Sequence, residues 1–173
     1  SKDIEFHRHA LEWLSKNELY IPDLIINLRP TPPSRRPDVI DNAIRTFSAH
    51  PEVDSLRSVH LADQSPFKMW TISKDGLLQP VATLSDSIEP YNQPRQTLPL
   101  VYWQDGYIDI TRPSVILEQN STTGKVILPF IIEEPANDID YPNEIDDVEL
   151  QLREQQFERK RSINNSNKYR HPS

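Results

Sequence analysis

Asp23-Leu24-Ile25-Ile26-Asn27-Leu28 runs directly into Arg29-Pro30-Thr31-Pro32-Pro33-Ser34-Arg35-Arg36, and the reading of this junction decides the fold. The first segment is almost continuously apolar, the pattern of a strand buried on both faces, so it reads as a central parallel strand. The second is a loop stiffened by proline. Beyond it Val39, Ile40, Ala43, Ile44 and Phe47 recur at helical spacing, with Pro37 and Asp38 suited to a first turn. Strand, loop and helix in this order make half of a βαβ unit. Ligands of open α/β sheets sit outside the carboxyl ends of such strands, which places the loop for binding.

Working outward, the chain opens in a helical pattern with Phe6, Ala10, Leu11, Trp13 and Leu14 on one side, ending near Asn17. An α/β domain that starts on a helix, with no preceding strand and no initiator Met, reads as a fragment. Downstream, Ser55–His60 is a candidate strand. Lys68–Ile72 and Leu77–Val81 flank Ser73-Lys74-Asp75-Gly76, a hairpin turn signal. Residues 82–99 are polar and punctuated by proline, and an irregular stretch of this length is usually functional or an arm that packs on a partner. Leu100–Trp103 and Tyr107–Thr111 flank Gln104-Asp105-Gly106, read as a turn, and Lys125–Ile132 gives a further strand. A last helix is expected from about Asn143 to Arg161, with Ile145, Val148, Leu152 and Phe157 inward. The polar residues 161–173 read as a disordered tail.

The 173 residues suit one domain. With no cysteine, disulfides, thiolate metal sites and cysteine nucleophiles are excluded, so any metal is held by oxygen or imidazole. The sequence has neither a long apolar run nor a secretory leader pattern, and a cytoplasmic protein is expected. The net charge of -7 comes from residues 133–149, which hold eight carboxylates and no Lys or Arg. One local acidic stretch suits a cation better than a nucleic acid backbone. None of the three glycines belongs to a phosphate-cradling loop.

Several residues have the chemistry of a site. In an extended segment Asp138 and Asp140 of Asp138-Ile139-Asp140 point to one side and converge as a pair suited to Mg²⁺, although the pattern alone fits a solvated loop more readily. Arg29 directly follows the buried strand and is aimed at the site, while Arg35 and Arg36 are as well explained by pairing with Asp38 and Asp41. Arg95 and Gln96 together suit a carboxylate and a neighbouring hydroxyl. Lys68 is a further anion contact, or an ordinary exposed lysine. The histidines have no metal-binding spacing.

Taken in order, the buried strand with RPTPP, then PRQTLPLVY, QDGYID and the DID segment resemble the acylneuraminate cytidylyltransferases over roughly Ala10 to Leu152. The resemblance implies a mainly parallel, Rossmann-like nucleotidyltransferase sheet with helices on both faces, and a homodimer joined by a small arm, for which residues 82–99 are the candidate. It implies transfer of CMP from CTP to the anomeric hydroxyl of a nonulosonic acid, with release of pyrophosphate. Asp138 and Asp140 match the Mg²⁺ ligands and catalytic carboxylates, Arg95 and Gln96 match a pair beside the sugar, and Arg29 and Thr31 lie in the loop lining the sugar pocket. Lys68 is the remaining candidate substrate contact. Arg29 stands where the family commonly has Gln, which opens the choice of sugar, an eight-carbon ulosonic acid included. Residues 1–22 contain nothing like the family's glycine-rich nucleotide loop or first strand. Residues 1–160 are accordingly expected to be an incomplete cytidylyltransferase domain with little turnover, or else a non-catalytic sugar-binding or assembly module.

Overall fold

A computed structural model describes residues 2–30 and 35–133, together with residues 145, 146, 149, 150, 152 and 153. The element order is α1 (Lys2–Asn17), β1 (Ile25–Asn27), α2 (Pro37–Ser48), β2 (Ser55–Leu61), β3 (Trp70–Ile72), β4 (Leu78–Pro80), β5 (Tyr102–Thr111), α3 (Pro113–Leu117) and β6 (Ile127–Ile131). The described residues between 145 and 153 are helical, as the sequence predicts. No helix among the described residues is long and apolar enough to cross a membrane.

The main sheet has the order β1-β5-β2-β6. β5 is antiparallel to both β1 and β2, whereas β2 and β6 are parallel, so β1, β2 and β6 share one direction and β5 alone is reversed. This is the expected α/β sheet, mainly of one direction, with one strand turned round. The carboxyl ends of β1, β2 and β6 therefore lie at one end of the sheet, together with the amino end of β5.

The expected central strand at residues 24–28 is shorter and sits elsewhere. β1 spans three residues at the sheet edge and pairs among the described residues with β5 only. Its apolar side chains nevertheless pack as the sequence indicates, with Leu24 and Ile26 against the core. That core is built from Leu56, Ile108, Ile110 and Phe130 of the sheet and from Ala43 and Phe47 of α2, with Val39, Ile40 and Ile44 packed around them. Every apolar position predicted for α2 takes part, because the helix lays one stripe on one sheet face. Its last turn is clamped by Arg112. The Arg112 guanidinium lies 4.5 Å over the Phe47 ring and donates to the His50 and Val53 carbonyls at 2.9 and 2.8 Å.

α1 has the expected bounds and keeps Ala10, Leu11 and Leu14 of its expected inward side. Leu11 is buried, while Phe6 and Trp13 are exposed. Ile4, His7, Leu11 and Leu14 are at least half-buried, and Arg8 donates to the Ile116 carbonyl of α3 at 2.8 Å. The helix therefore docks through a mixed face. A hydrophobic pattern alone does not reveal a docking face of that kind. α3 itself, opened by Pro113 and burying Val115 and Ile116, is not anticipated by the sequence reading.

Outside the main sheet, β3 and β4 form the expected antiparallel hairpin. Its turn is closed by Gly76 N donating to Ser73 O at 3.0 Å and Ser73 N to Leu77 O at 2.9 Å. Short 3₁₀ turns follow at Pro90–Asn92 and Arg95–Thr97.

The entry to β6 is set by one carboxylate. Asp54 accepts from Lys125 N at 2.7 Å, Val126 N at 3.0 Å and Gln119 Nε2 at 3.1 Å. A Cβ on Gly124, whose φ is +73°, would collide with the Asp54 side chain, so this approach requires glycine. The Val126 and Lys125 amides hold the Asp54 carboxyl below its ordinary range. A carboxyl depressed in the folded state adds stability above its unfolded pKa and loses it as pH falls through the folded value. Asp54→Asn is expected to be less stable than the parent near pH 7, with the gap closing below about pH 4. Urea unfolding at several pH values measures this, and a gap independent of pH would contradict it.

Candidate functional site

The site forms on one sheet face, level with the end of β1 and the middle of β2 and β6. Register pairs Arg57 with Asp109 across β2 and β5, and Asn27 with Asp109 across β1 and β5. Side chains of paired residues share a face, so Asn27, Asp109 and Arg57 form a polar row across three strands on the face opposite α2. Arg57 Nη1 meets Asp109 Oδ2 at 2.5 Å, and both side chains are largely buried. Arg57 Nη2 also donates to Thr122 O at 3.1 Å and Thr123 Oγ1 at 2.8 Å. A buried guanidinium with this set of acceptors is satisfied. Its partner is not: Asp109 Oδ1 is buried and has no hydrogen-bond donor among the described residues.

A cavity of about 250 Å³ opens over this row. Arg29, Gln104 and Asn27 line it toward the carboxyl end of β1, and Asp3 and His7 of α1 line it from above, so α1 covers the sheet face opposite α2. Helices thus lie on both faces.

β5 is deformed beside this cavity, between its lining residues Gln104 and Asp109. Between the pairs Arg57↔Asp109 and Val59↔Gln104, β2 supplies one residue and β5 supplies four. The surplus is a bulge containing Asp105-Gly106, where the sequence suggests a turn between two strands. Glycine at positive φ serves either purpose, so the motif alone does not distinguish them. Asp105, with only 9% exposure, holds the bulge in shape. Its Oδ1 accepts from Ser58 Oγ at 2.5 Å and from Tyr107 N at 3.0 Å, and Ser58 Oγ in turn accepts from Ile108 N at 2.9 Å. His60 Nδ1 lies 3.5 Å from Asp105 Oδ2, outside good hydrogen-bonding distance.

The bulge carries the arginines that follow β1. Gly106 has φ +67°, and a Cβ there would sit 3.4 Å from Arg29 Cδ, so the Arg29 side chain lies against this glycine. Arg35 Nε donates to the Tyr107 carbonyl at 2.6 Å, and the Tyr107 hydroxyl accepts from Arg36 N at 2.6 Å. Burial pushes the Tyr107 phenol up, which keeps it neutral. Arg36 pairs with Asp38 at 2.7 Å, as the sequence suggests, and this guanidinium holds the Asp38 carboxyl down. Arg35 is engaged by the Gly106 and Tyr107 carbonyls of β5.

The remaining sequence candidates divide. Arg95 lies in the turn that leads into β5, hence at the same sheet end as Arg29, and its Nη2 donates to Gln64 Oε1 at 2.6 Å. Gln96 is exposed beside it. Lys68 Nζ donates to the Tyr91 carbonyl at 3.0 Å and so ties the turn at Pro66–Lys68, before β3, to the one at Pro90–Asn92. Of these four, only Arg29 lines the cavity. Thr31, Asp138 and Asp140 lie outside the described residues, although the chain is described to Glu133, just beyond the carboxyl end of β6. Sequence reasoning assigns no role to Arg57, Asp105 or Asp109. The signal for Arg57 and Asp109 is opposite charges inside two otherwise strand-like runs, Ser55–Leu61 and Tyr107–Thr111.

No protein-family model and no curated protein matches this sequence. Among solved structures, the chain is similar to a CMP:2-keto-3-deoxy-manno-octonic acid synthetase complexed with CTP, with a TM-score of 0.55 and 17% identity over 86% of this chain and 68% of that one. The likeness is one of fold.

Removing the acceptor that holds the bulge tests its role. Asp105→Ala leaves the Ser58 hydroxyl and the Tyr107 amide without their partner, and is expected to cost about 3 kcal/mol. Asp105→Asn keeps one acceptor oxygen and is expected to cost less than half as much. Denaturant midpoints for the two variants check this, and equal losses would contradict it.

Proposed function

We propose that the chain provides the sugar-binding and metal-binding part of a CTP-dependent cytidylyltransferase for an ulosonic acid of the nonulosonic or octulosonic type. The observation that carries this reading is the polar cavity on the sheet face opposite α2, which Arg29 lines just beyond the carboxyl end of β1, on a fold shared with an enzyme of that chemistry. In the reaction the anomeric hydroxyl oxygen of the sugar bonds to the α-phosphorus of CTP. The bond from that phosphorus to the bridging oxygen breaks, pyrophosphate leaves, and the hydroxyl proton passes to solvent. Such a transfer depends on alignment and on neutralised charge.

In this reading Arg29 and Arg95 take the sugar carboxylate, while the Gln96, Gln104 and Asn27 amides and the Thr31 hydroxyl orient sugar hydroxyls. Lys68 acts indirectly by holding the irregular segment in place. Asp138 and Asp140 are the residues to hold Mg²⁺, and their oxygen donors fit that ion, which commonly takes one or two carboxylates and shares phosphate oxygens. When bound, the ion would supply charge neutralisation at the triphosphate.

Because the sequence contains no glycine-rich triphosphate loop, the chain is expected to bind an ulosonic acid but to release pyrophosphate far more slowly than the roughly 1–10³ s⁻¹ usual for enzymes. Calorimetry with the free sugar acids and a pyrophosphate-release assay with CTP and Mg²⁺ measure the two halves. An ordinary rate would contradict the division of labour, and absence of binding to any ulosonic acid would contradict the function.

We further propose that a second copy of the chain packs on the β3–β4 hairpin and residues 82–99. This segment exposes Ile72, Leu77, Leu78 and Ile88, the last at 97%. Exposed apolar area of this kind marks interaction surfaces. Light scattering is expected to give a dimer, and Ile72→Asp with Ile88→Asp to give a monomer of unchanged far-UV spectrum. A parent that is monomeric at all concentrations would contradict the arm's role.

A further inference from the structure

The polar groups around the cavity divide into a satisfied floor and an open roof. On the floor, Arg57 is taken up by Asp109, Thr122 and Thr123, and the remaining Asp109 oxygen is sealed. By contrast Asp3, His7, Asn27, Arg29 and Gln104 line the cavity with side chains that have no hydrogen-bond or ionic partner among the described residues. Asp3, Arg29 and Gln104 are exposed, and neither ring nitrogen of the half-buried His7 is sealed. Asp3 and His7 are four residues apart on α1 and so share one side of the helix. This roof is anchored. Directly after His7, Arg8 donates to the Ile116 carbonyl at 2.8 Å and to Asn120 Oδ1 at 3.1 Å, and Leu11 is buried one turn on. The Phe6 ring meets the His7 ring edge-on at 5.7 Å. Groups carried on a docked helix give up less freedom on binding than groups on a loop.

We infer that the first two turns of α1 belong to the ligand site and that Asp3 and His7 contact hydroxyl groups of the sugar acid. The inference rests on the sugar-acid reading above. A carboxylate accepts hydrogen bonds from hydroxyls and repels a second carboxylate, so Asp3 takes the polyol part of the ligand and leaves its acid group to Arg29. The His7 ring adds a nitrogen that serves a hydroxyl as donor or acceptor. An acid poor in hydroxyls gains nothing from this roof, which makes Asp3 and His7 specificity-determining residues.

The test uses the full chain with two probes, 2-keto-3-deoxy-manno-octonic acid and N-acetylneuraminic acid. Isotope-filtered NMR on the parent is expected to show cross-relaxation between the carbon-bound protons of the His7 ring and those of whichever sugar binds. In calorimetry Asp3→Asn and His7→Ala are each expected to weaken that sugar at least about fivefold, a factor that one hydrogen bond supplies. Their thermal midpoints and the sugar-induced amide shifts at Asn27 and Arg29 are expected to be retained. Glu12→Gln, at an exposed position further along α1, is expected to change nothing. The contact is read on the parent, so it decides the matter even where a variant fails to fold. A sugar that shifts Asn27 and Arg29 without contacting His7, or that binds both variants as tightly as the parent, would overturn the inference and leave the proposed function standing. Failure of both sugars to bind would overturn the inference and the proposed function together.

Discussion

Asp105 accepts two hydrogen bonds inside the bulge of β5, and the candidate site depends on that arrangement. The carboxylate is nearly buried, and Ser58 Oγ and Tyr107 N converge on one of its oxygens. This gathers the surplus residues of β5 beside Ser58 of β2, just beyond the end of β1. The bulge then presents Gly106 to the Arg29 side chain and the Tyr107 carbonyl to Arg35. The bulge is thus the link between the apolar core under α2 and the basic residues that follow β1.

The two faces of the sheet divide the work. Leu56, Ile108, Ile110 and Phe130 pack against Ala43 and Phe47 on one side and supply the apolar burial. On the other side the same strands carry Asn27, Asp109 and Arg57. A buried ion pair is a weak source of stability compared with apolar packing, since desolvation offsets much of the Coulomb gain. The pair across β2 and β5 lies under a cavity, and one of its carboxylate oxygens is buried with no donor among the described residues.

Much of this fold can be read from the sequence because its signals are local. The α2 stripe, the Ser73–Gly76 turn and the strands at 55–61 and 127–131 each obey a single periodicity or turn rule, and the structure follows them. Departures occur where tertiary context decides. Phe6 and Trp13 look like the buried side of α1, yet the helix docks through Leu11 and the Arg8 contact to α3. Gln104-Asp105-Gly106 reads as a turn because glycine at positive φ suits turns and bulges alike. The run at 24–28 looks central because burial by helices and burial by neighbouring strands leave the same apolar imprint. At the site, Arg29 is legible from its place after a buried strand. Arg57 and Asp109 are not, since their meaning lies in a register between residues far apart in sequence.

The account stands or falls on whether a sugar acid occupies the cavity on this sheet face. The direct measurement is an amide chemical-shift titration of the isotope-labelled chain with an ulosonic acid. Shifts are predicted at Asn27, Arg29, Gln104, Gly106 and Asp109, with the α2 core unmoved. A footprint confined to the β3–β4 hairpin, or no footprint at saturating sugar, would contradict it.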